Sequence, residues 1–477
     1  MRKTKIVCTI GPASKDVETL KQMINSGMNV ARINFSHGGY EDQKPLIQAI
    51  KQARQELNVP VALLLDMQGP EVRTGKLEEA PVILETGNDF VLVNEDIVGN
   101  NQRVSITYKG LYKDIHVGTR ILIDDGAIEL ETTEIREKDI YCKIIHGAKL
   151  GNRKSLNIPG THLNLPSLKE KDIQDLNAGI MEEFDYVAAS FVRNAQDVLD
   201  VRKVLNDNGG EKIKIISKIE NQEGIDNFSE ILKVSDGIMI ARGDMGVEIP
   251  LEQVPIIQKQ FIKECKSTGK FVITATQMLE SMITNPRPTR AEVSDVANAI
   301  FDETGAIMLS GESAIGNYPI ECVQTMNQIA MGVEESIKYW KRFRNREYEL
   351  GDLNYEFTLN YSVCVAAMNL GAKAIIAYTE TGDTPRIISC LLPCCPIFAV
   401  TSNEKAYKQL TLAWNVHPIL LPEQKTVDEL LQLAIRELKE ENQLVKNDII
   451  IIAGGKNIVS NIEDSGINRV LGGAFKI

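Results

Sequence analysis

Apolar runs of five to seven residues recur along the first two thirds of the chain, at 4–10 (TKIVCTI), 29–35 (NVARINF), 61–67 (VALLLDM), 185–191 (DYVAASF), 213–219 (IKIISKI), 237–242 (GIMIAR), 271–276 (FVITAT) and 305–310 (GAIMLS). Most are apolar at nearly every position, which is the pattern of strands covered on both faces rather than of half-exposed strands. Amphipathic stretches such as VETLKQMINSG, KPLIQAIKQARQEL and QVPIIQKQFIKECKSTG fall between them and predict helices. Eight strand and helix units in alternation predict an α/β fold, a (β/α)8 TIM barrel.

The alternation breaks once. Residues 68–184, between the third and fourth strands, show no helical period and read as short strands divided by Gly, Asp and Asn turns: FVLV, RILIDDGAIELETTEI, DIYCKIIHG and KSLNIPG. An all-β domain inserted at the C-terminal face of a barrel is placed to act as a lid. After the charged stretch YWKRFRNREYELGD the pattern restarts with helix NYSVCVAAMNLG, strands AIIAYT, PIFAVT, HPILL and DIIIIAGG, and helix TVDELLQLAIRELKEEN. This predicts a C-terminal open α/β domain. The expected boundaries are 1–69 with 169–345 for the barrel, 70–168 for the inserted lid and 346–477 for the last domain.

Composition narrows the class. A chain of 477 residues with 43% hydrophobic content can bury several cores. Its net charge of −12 argues against nucleic acid or an anionic membrane as partner. No apolar run reaches the roughly 18 residues of a membrane span, and the N-terminus lacks the apolar core of a signal peptide. The 8 cysteines lie mostly in apolar segments with no CxxC pair, as expected of small core residues in a reducing cytoplasm.

Charges cluster where the apolar strands end. Lys218 and Glu220 in ISKIEN stand two residues apart, so on one face of the fifth strand, and GIMIARGDMG is apolar until Arg242 and Asp244. The second strand ends in Arg32, Asn34, Ser36 and His37, the third in Asp66, Glu71 and Arg73, the seventh in Thr276, and the eighth in Ser310 and Glu312. Barrel active sites lie on this rim. Two carboxylates on adjacent strands, Glu220 and Asp244, suit a hard divalent ion that completes its shell with water and substrate oxygens. Lys218 and Arg32 point to an anionic substrate, a phosphate. No Walker loop, GxGxxG or HRD motif is present, so a nucleotide would be held by side chains and metal.

The segments TKIVCTIGPAS, RINFSHG, GPEVRTG, IISKIENQEG, MIARGDMGVEIP, TATQMLESMITNPRPTRAEVSDVANAI and MLSGESAIGNYP resemble the pyruvate kinase family, and the resemblance runs through the whole chain. It is to the shorter bacterial members, without an appended phosphotransfer domain. The resemblance implies phosphoenolpyruvate, ADP/ATP and pyruvate as ligands, Mg2+ (or Mn2+) and K+ as cofactors, a homotetramer and a phosphorylated effector. It implies Glu220 and Asp244 as Mg2+ ligands, Lys218 on the transferring phosphoryl group, Arg32 on phosphoenolpyruvate, and Gly243, Asp244 and Thr276 on its carboxylate. Thr276 would also lie near the side from which the enolate is protonated. Asn34, Ser36, Asp66 and the carbonyl of Met67 would hold K+, and Asn34, Ser36, His37, Arg73 and Lys154 would meet the nucleotide. Met67 and Gln68 depart from the common Thr and Lys. Family members that dispense with K+ carry lysine at the position of Glu71, which is acidic here.

Two other readings share these residues: a Mg2+-dependent barrel lyase or mutase acting on phosphoenolpyruvate or pyruvate, and a catalytically silent metabolite-binding relative. In the last domain, Thr379, Thr381, Gly382 and Thr384 precede helix PRIISCLL and read as a phosphate cradle or, alternatively, as ordinary capping by Thr384 ahead of Pro385. Glu380 and Asp383 in this loop favour a monophosphate, such as AMP or a sugar monophosphate, over a bisphosphate.

Overall fold

A computed structural model describes residues 1–36, 38–346, 355–423, 426–454 and 473–476. The eight expected strands form a closed parallel barrel: Lys5–Thr9, Val30–Asn34, Ala62–Asp66, Tyr186–Ala189, Lys214–Ile219, Gly237–Ala241, Phe271–Ala275 and Ala306–Leu309. Chain order is kept around the ring, the eighth strand pairing with the first through Lys5 opposite Ala306. Strand residues of one parity face the helices, as Ile6, Cys8, Ile215 and Ile219 do. Those of the other parity fill the ring, among them Val7, Val30, Leu64, Tyr186, Ile216, Met239 and Met308. With both faces covered, nearly every strand residue is buried, which is why the runs are continuously apolar.

Between the third and fourth strands, a seven-stranded sheet curls until its ends meet at an antiparallel bridge between Thr74 and Ile106. Its own core contains Phe90, Leu92, Ile121, Leu130, Ile140 and Leu156. One expectation fails here. Residues 68–184 are not free of helix, since Glu170–Met181 is helical. Its inward face carries Asp172 and Asp175 and its Ile173 is exposed, so the apolar period is scrambled. The buried carboxylates are used locally, Asp172 by the backbone N–H groups of Gly69 (3.1 Å) and Lys169 (2.8 Å), Asp175 by Lys171 (2.6 Å).

The C-terminal sheet is parallel through Val416–Leu420, Ile397–Thr401, Ala374–Tyr378 and Ile449–Gly454, and ends in an antiparallel edge strand, Gly473–Lys476, that the short glycine-rich sequence did not announce. This domain closes the N-terminal foot of the barrel. Its Leu410, Leu412, Ala413 and Val416 share one continuous core with the barrel interior. The Tyr186 hydroxyl donates to Gln409 O, and Asn415 N–H donates to Lys3 O at 2.8 Å. The foot is therefore sealed and the opposite rim is left open for chemistry.

Candidate active site at the barrel rim

Inward parity carries the polar side chains of Thr9, Arg32, Asp66, Ser190, Lys218 and Glu220 to the top layer of the ring. All are at most about a tenth exposed, so each charge needs a partner. Arg32 Nε donates to Asp66 Oδ2 at 2.6 Å and its Nη1 to Thr9 Oγ1 at 2.7 Å. Lys218 Nζ reaches Asp66 Oδ1 at 3.3 Å, Glu220 Oε1 at 2.9 Å and Ser190 Oγ at 2.8 Å. The Ser190 hydroxyl donates in turn to Met67 O at 2.7 Å. Ser190 and Thr9 were missed in the sequence. Thr9 ends the first strand and Ser190 directly follows the fourth, so the same rim rule would have found them, but short hydroxyls among Ala, Phe and Ile do not stand out as charges do.

The electrostatics separate the groups. Burial opposes the Asp66 carboxylate, yet Arg32 and then Lys218 outweigh it and hold its pKa below the ordinary value. Burial likewise opposes the Lys218 ammonium, but Asp66, Glu220 and Asp244 together raise its pKa. Glu220 behaves differently. It is fully buried, and that burial, with Asp244 adding to it against Lys218, pushes it up to about 8. Its Oε2 accepts the Phe191 N–H at 2.6 Å, and Oε1 is ion-paired with Lys218 at 2.9 Å. A buried carboxylate oxygen so placed fits a cation ligand. Glu220 and Asp244 offer two carboxylates, the number Mg2+ commonly takes from protein.

The other expected residues divide. Asn34, the strand neighbour of Asp66, turns its amide oxygen to the Ser36 N–H at 3.0 Å. Asn34, Ser36, Asp66 and Met67 offer only oxygen donors, amide, hydroxyl, carboxylate and carbonyl, with one formal negative charge among them; the Asp66 oxygens are held by Arg32 and Lys218 and Met67 O by Ser190. His37 lies outside the described residues. Thr276 Oγ1 accepts the Gly243 N–H at 2.7 Å and donates to Ala275 O at 2.6 Å. Thr276 and Gln277 have φ of +71° and +53°, strained for a β-branched residue above all. Glu312 is not a rim ligand: its two oxygens accept the N–H groups of Leu279 (3.0 Å) and Ser310 (2.7 Å). That is a structural role.

Arg73 and Lys154, from the inserted sheet, border a cavity of about 630 Å³ between insert and rim, with Asp244 and Glu248 on the far wall. Arg73 pairs with Glu71 at 2.6 Å and Lys154 with Asp124 at 2.9 Å. The insert is tied to the barrel by Asn157 to Glu248 and His162 to Glu223, both at 2.8 Å, and by Arg193 Nη1 to the carbonyls of Leu163 (3.0 Å) and Leu165 (2.9 Å). These pairs join segments far apart in sequence and leave no local signature.

The C-terminal loop is already self-satisfied. Thr379 Oγ1 accepts the Gly382 N–H at 2.8 Å, and Thr381 Oγ1 donates to Asp383 Oδ2 at 2.7 Å. Capping by Thr384 does not occur: the helix runs Asp383–Cys390 with Gly382, at φ +90°, as its N-cap, so Thr384 lies inside the first turn.

A closed parallel barrel with an all-β insert beside a rim of paired cations and carboxylates is suited to binding an anionic substrate. Residues 1–323 match the family described as pyruvate kinase, barrel domain, and residues 358–463 that described as pyruvate kinase, alpha/beta domain. The chain is 48% identical to the pyruvate kinase of Clostridium acetobutylicum over 456 residues, 95% of this chain and 96% of that one. It is also 48% identical to those of Staphylococcus epidermidis and Sporosarcina psychrophila over 457 residues, 95% of this chain and 78% of each of them. The chain belongs to the pyruvate kinase family. Among the described residues no helix is long and apolar enough to cross a membrane.

Proposed function

We propose that the chain transfers the phosphoryl group of phosphoenolpyruvate to ADP, giving pyruvate and ATP, in the cytoplasm and as a homotetramer. The observation that carries the reading is the convergence of Arg32, Asp66, Lys218 and Glu220 in the top layer of the barrel, Lys218 lying between the two carboxylates. Phosphoryl transfer passes through a loose transition state with charge spread over equatorial oxygens, so positioned cations supply most of the catalysis. Lys218, held charged by Asp66, grips the moving phosphoryl group from one side. Arg32 fixes the substrate beside it. Glu220 and Asp244 would hold Mg2+ (or Mn2+), which when bound neutralises charge on the phosphoryl oxygens and the enolate.

The substrate carboxylate lies against the backbone of Gly243 and Asp244 and the Thr276 hydroxyl. Protonation of the enolate occurs on the Thr276 side and gives the more stable ketone, which makes the overall step strongly downhill. Arg73 and Lys154, with Asn34, Ser36 and His37, would hold the nucleotide, and Asn34, Ser36, Asp66 and Met67 O would hold K+. The insert at 70–168 acts as lid, the segments 1–69 and 169–345 as barrel, and 346–477 as regulatory domain. Coupling pyruvate formation to lactate dehydrogenase, with phosphoenolpyruvate, ADP, Mg2+ and K+ present, tests the reading. Steady NADH loss that needs all four is expected. A chain that binds phosphoenolpyruvate without forming pyruvate would place it among silent relatives, and phosphoenolpyruvate consumption independent of ADP would make it a lyase or mutase.

A further inference from the structure

We propose that Arg242 is the positioning residue for Thr276: its guanidinium holds the carbonyls of Ala275 and Thr276 and keeps Thr276 in the left-handed conformation that turns its hydroxyl to Gly243. The inference rests on the proposed function for its catalytic consequence, but the clamp itself is geometric. Arg242 is the first residue past the sixth barrel strand, and Ala241 pairs with Ala275 on the seventh. Its side chain thus leaves one strand end beside the next. Nη2 donates to Thr276 O at 2.8 Å and Nε to Ala275 O at 3.3 Å. The fork is anchored from behind by Asp295, Nη1 to Oδ1 and Nη2 to Oδ2, both at 2.7 Å.

A β-branched residue at φ +71° followed by a second residue at φ +53° persists only where the surroundings over-determine it. Arg242 supplies that constraint, because two successive carbonyls are held by one planar group whose own orientation is fixed by a bidentate carboxylate. The result is visible at Gly243, whose N–H meets Thr276 Oγ1 at 2.7 Å; a Cβ built on Gly243 would come within 3.3 Å of the same oxygen. A lysine keeps the charge but cannot span two carbonyls and a carboxylate in one plane.

The test uses the intact enzyme and the variants Arg242→Lys and Asp295→Asn. Exchange of pyruvate methyl protons with deuterium from solvent reads the protonation step in reverse. Arg242→Lys is expected to lower both this exchange and kcat by about tenfold to a hundredfold, the scale of a group displaced by about 1 Å, with KM for ADP unmoved. Combined with Thr276→Val, which removes the hydroxyl, the loss is expected to be less than additive, since both changes act through one hydroxyl. Asp295→Asn, which keeps the arginine but loosens its anchor, gives the same pattern at smaller size and decides the matter if Arg242→Lys does not fold. Crystals of Arg242→Lys read the clamp without turnover: Thr276 leaving the left-handed region supports it. Thr276 unchanged near φ +71°, wild-type exchange in a folded variant, or additive losses would overturn it. A wild-type chain that forms no pyruvate counts against the proposed function instead, and the backbone of Thr276 in those crystals still decides the clamp.

Discussion

Lys218 and Lys5 lie in the same barrel interior, on strands of the same ring, and both are buried, yet their charges stand in opposite situations. At the rim, Lys218 faces Asp66 at 3.3 Å and Glu220 at 2.9 Å, and its pKa is raised. At the foot, Lys5 donates to the neutral carbonyl of Val416 at 2.7 Å; burial, with Arg2 adding to it against Glu334, lowers it to about 7. The neighbouring His417 is lowered to about 3 by burial and by Lys5, and its Nε2 has no hydrogen-bond partner. At the foot, where two domains share a core, burial disfavours the charged forms of Lys5 and His417, while at the rim Lys218 stays charged between Asp66 and Glu220. Burial alone does not mark a site. What marks it is charge retained against burial by convergent partners.

The sharpest way to break this contrast is Lys218→Met, which should fold and lose at least about 10²–10³ in kcat, the scale of removing one preorganised donor. Near-normal kcat in a folded variant would end the role given to Lys218. Next in size is K+. Activity in buffers free of K+ and NH4+ should fall to a small fraction and return when K+ is added, whereas full activity without either ion would refute a cation bound by Asn34, Ser36, Asp66 and Met67 O.

Effects at the C-terminal loop should be smaller, because its hydroxyls are already bonded inward and Glu380 and Asp383 repel phosphate. AMP or a sugar monophosphate is expected to sharpen substrate saturation weakly, through Thr379, Thr381, Gly382 and Thr384. Strong activation by fructose 1,6-bisphosphate that survives Thr384→Ala would show both ligand and loop to be otherwise.

Smallest in activity, and opposite in kind, is Lys5→Met. Turnover should be unchanged, while the pH dependence of stability shifts. Between about 7 and the ordinary 10.5 the unfolded chain holds a proton on Lys5 that the folded chain lacks. Stability therefore rises with pH across that window, by up to about 1.4 kcal/mol per unit from this one group, and the Met variant should lose that part of the slope. Denaturant unfolding at pH 7, 8 and 9 would measure it; equal slopes for the two proteins would place the charge state of Lys5 elsewhere.

Most of the fold was legible because parallel barrel strands are covered on both faces and read as unbroken apolar runs. The rim charges stood out for the same reason, Lys218 and Glu220 being conspicuous against isoleucine. Three kinds of feature escaped. Ser190 and Thr9 are small and neutral, and acquire meaning only beside Lys218 and Arg32. Helix Glu170–Met181 buries aspartates where a periodic reading expects leucines. Glu312 has the composition of a ligand but folds back onto the N–H groups of Leu279 and Ser310, a choice set by tertiary geometry alone. Arg242 was visible as a charge at a strand end, yet its partners lie on the next strand and on the helix Arg290–Phe301, out of local reach.

The most direct measurement follows the phosphorus atom itself. In 31P NMR of the wild-type chain with phosphoenolpyruvate, ADP, Mg2+ and K+, the phosphoenolpyruvate signal should be replaced by the γ-phosphate of ATP, one for one, while the folded variant Glu220→Gln leaves phosphoenolpyruvate and ADP unchanged on the same timescale. Release of inorganic phosphate without ATP, or ATP formed by Glu220→Gln at the wild-type rate, would contradict the account.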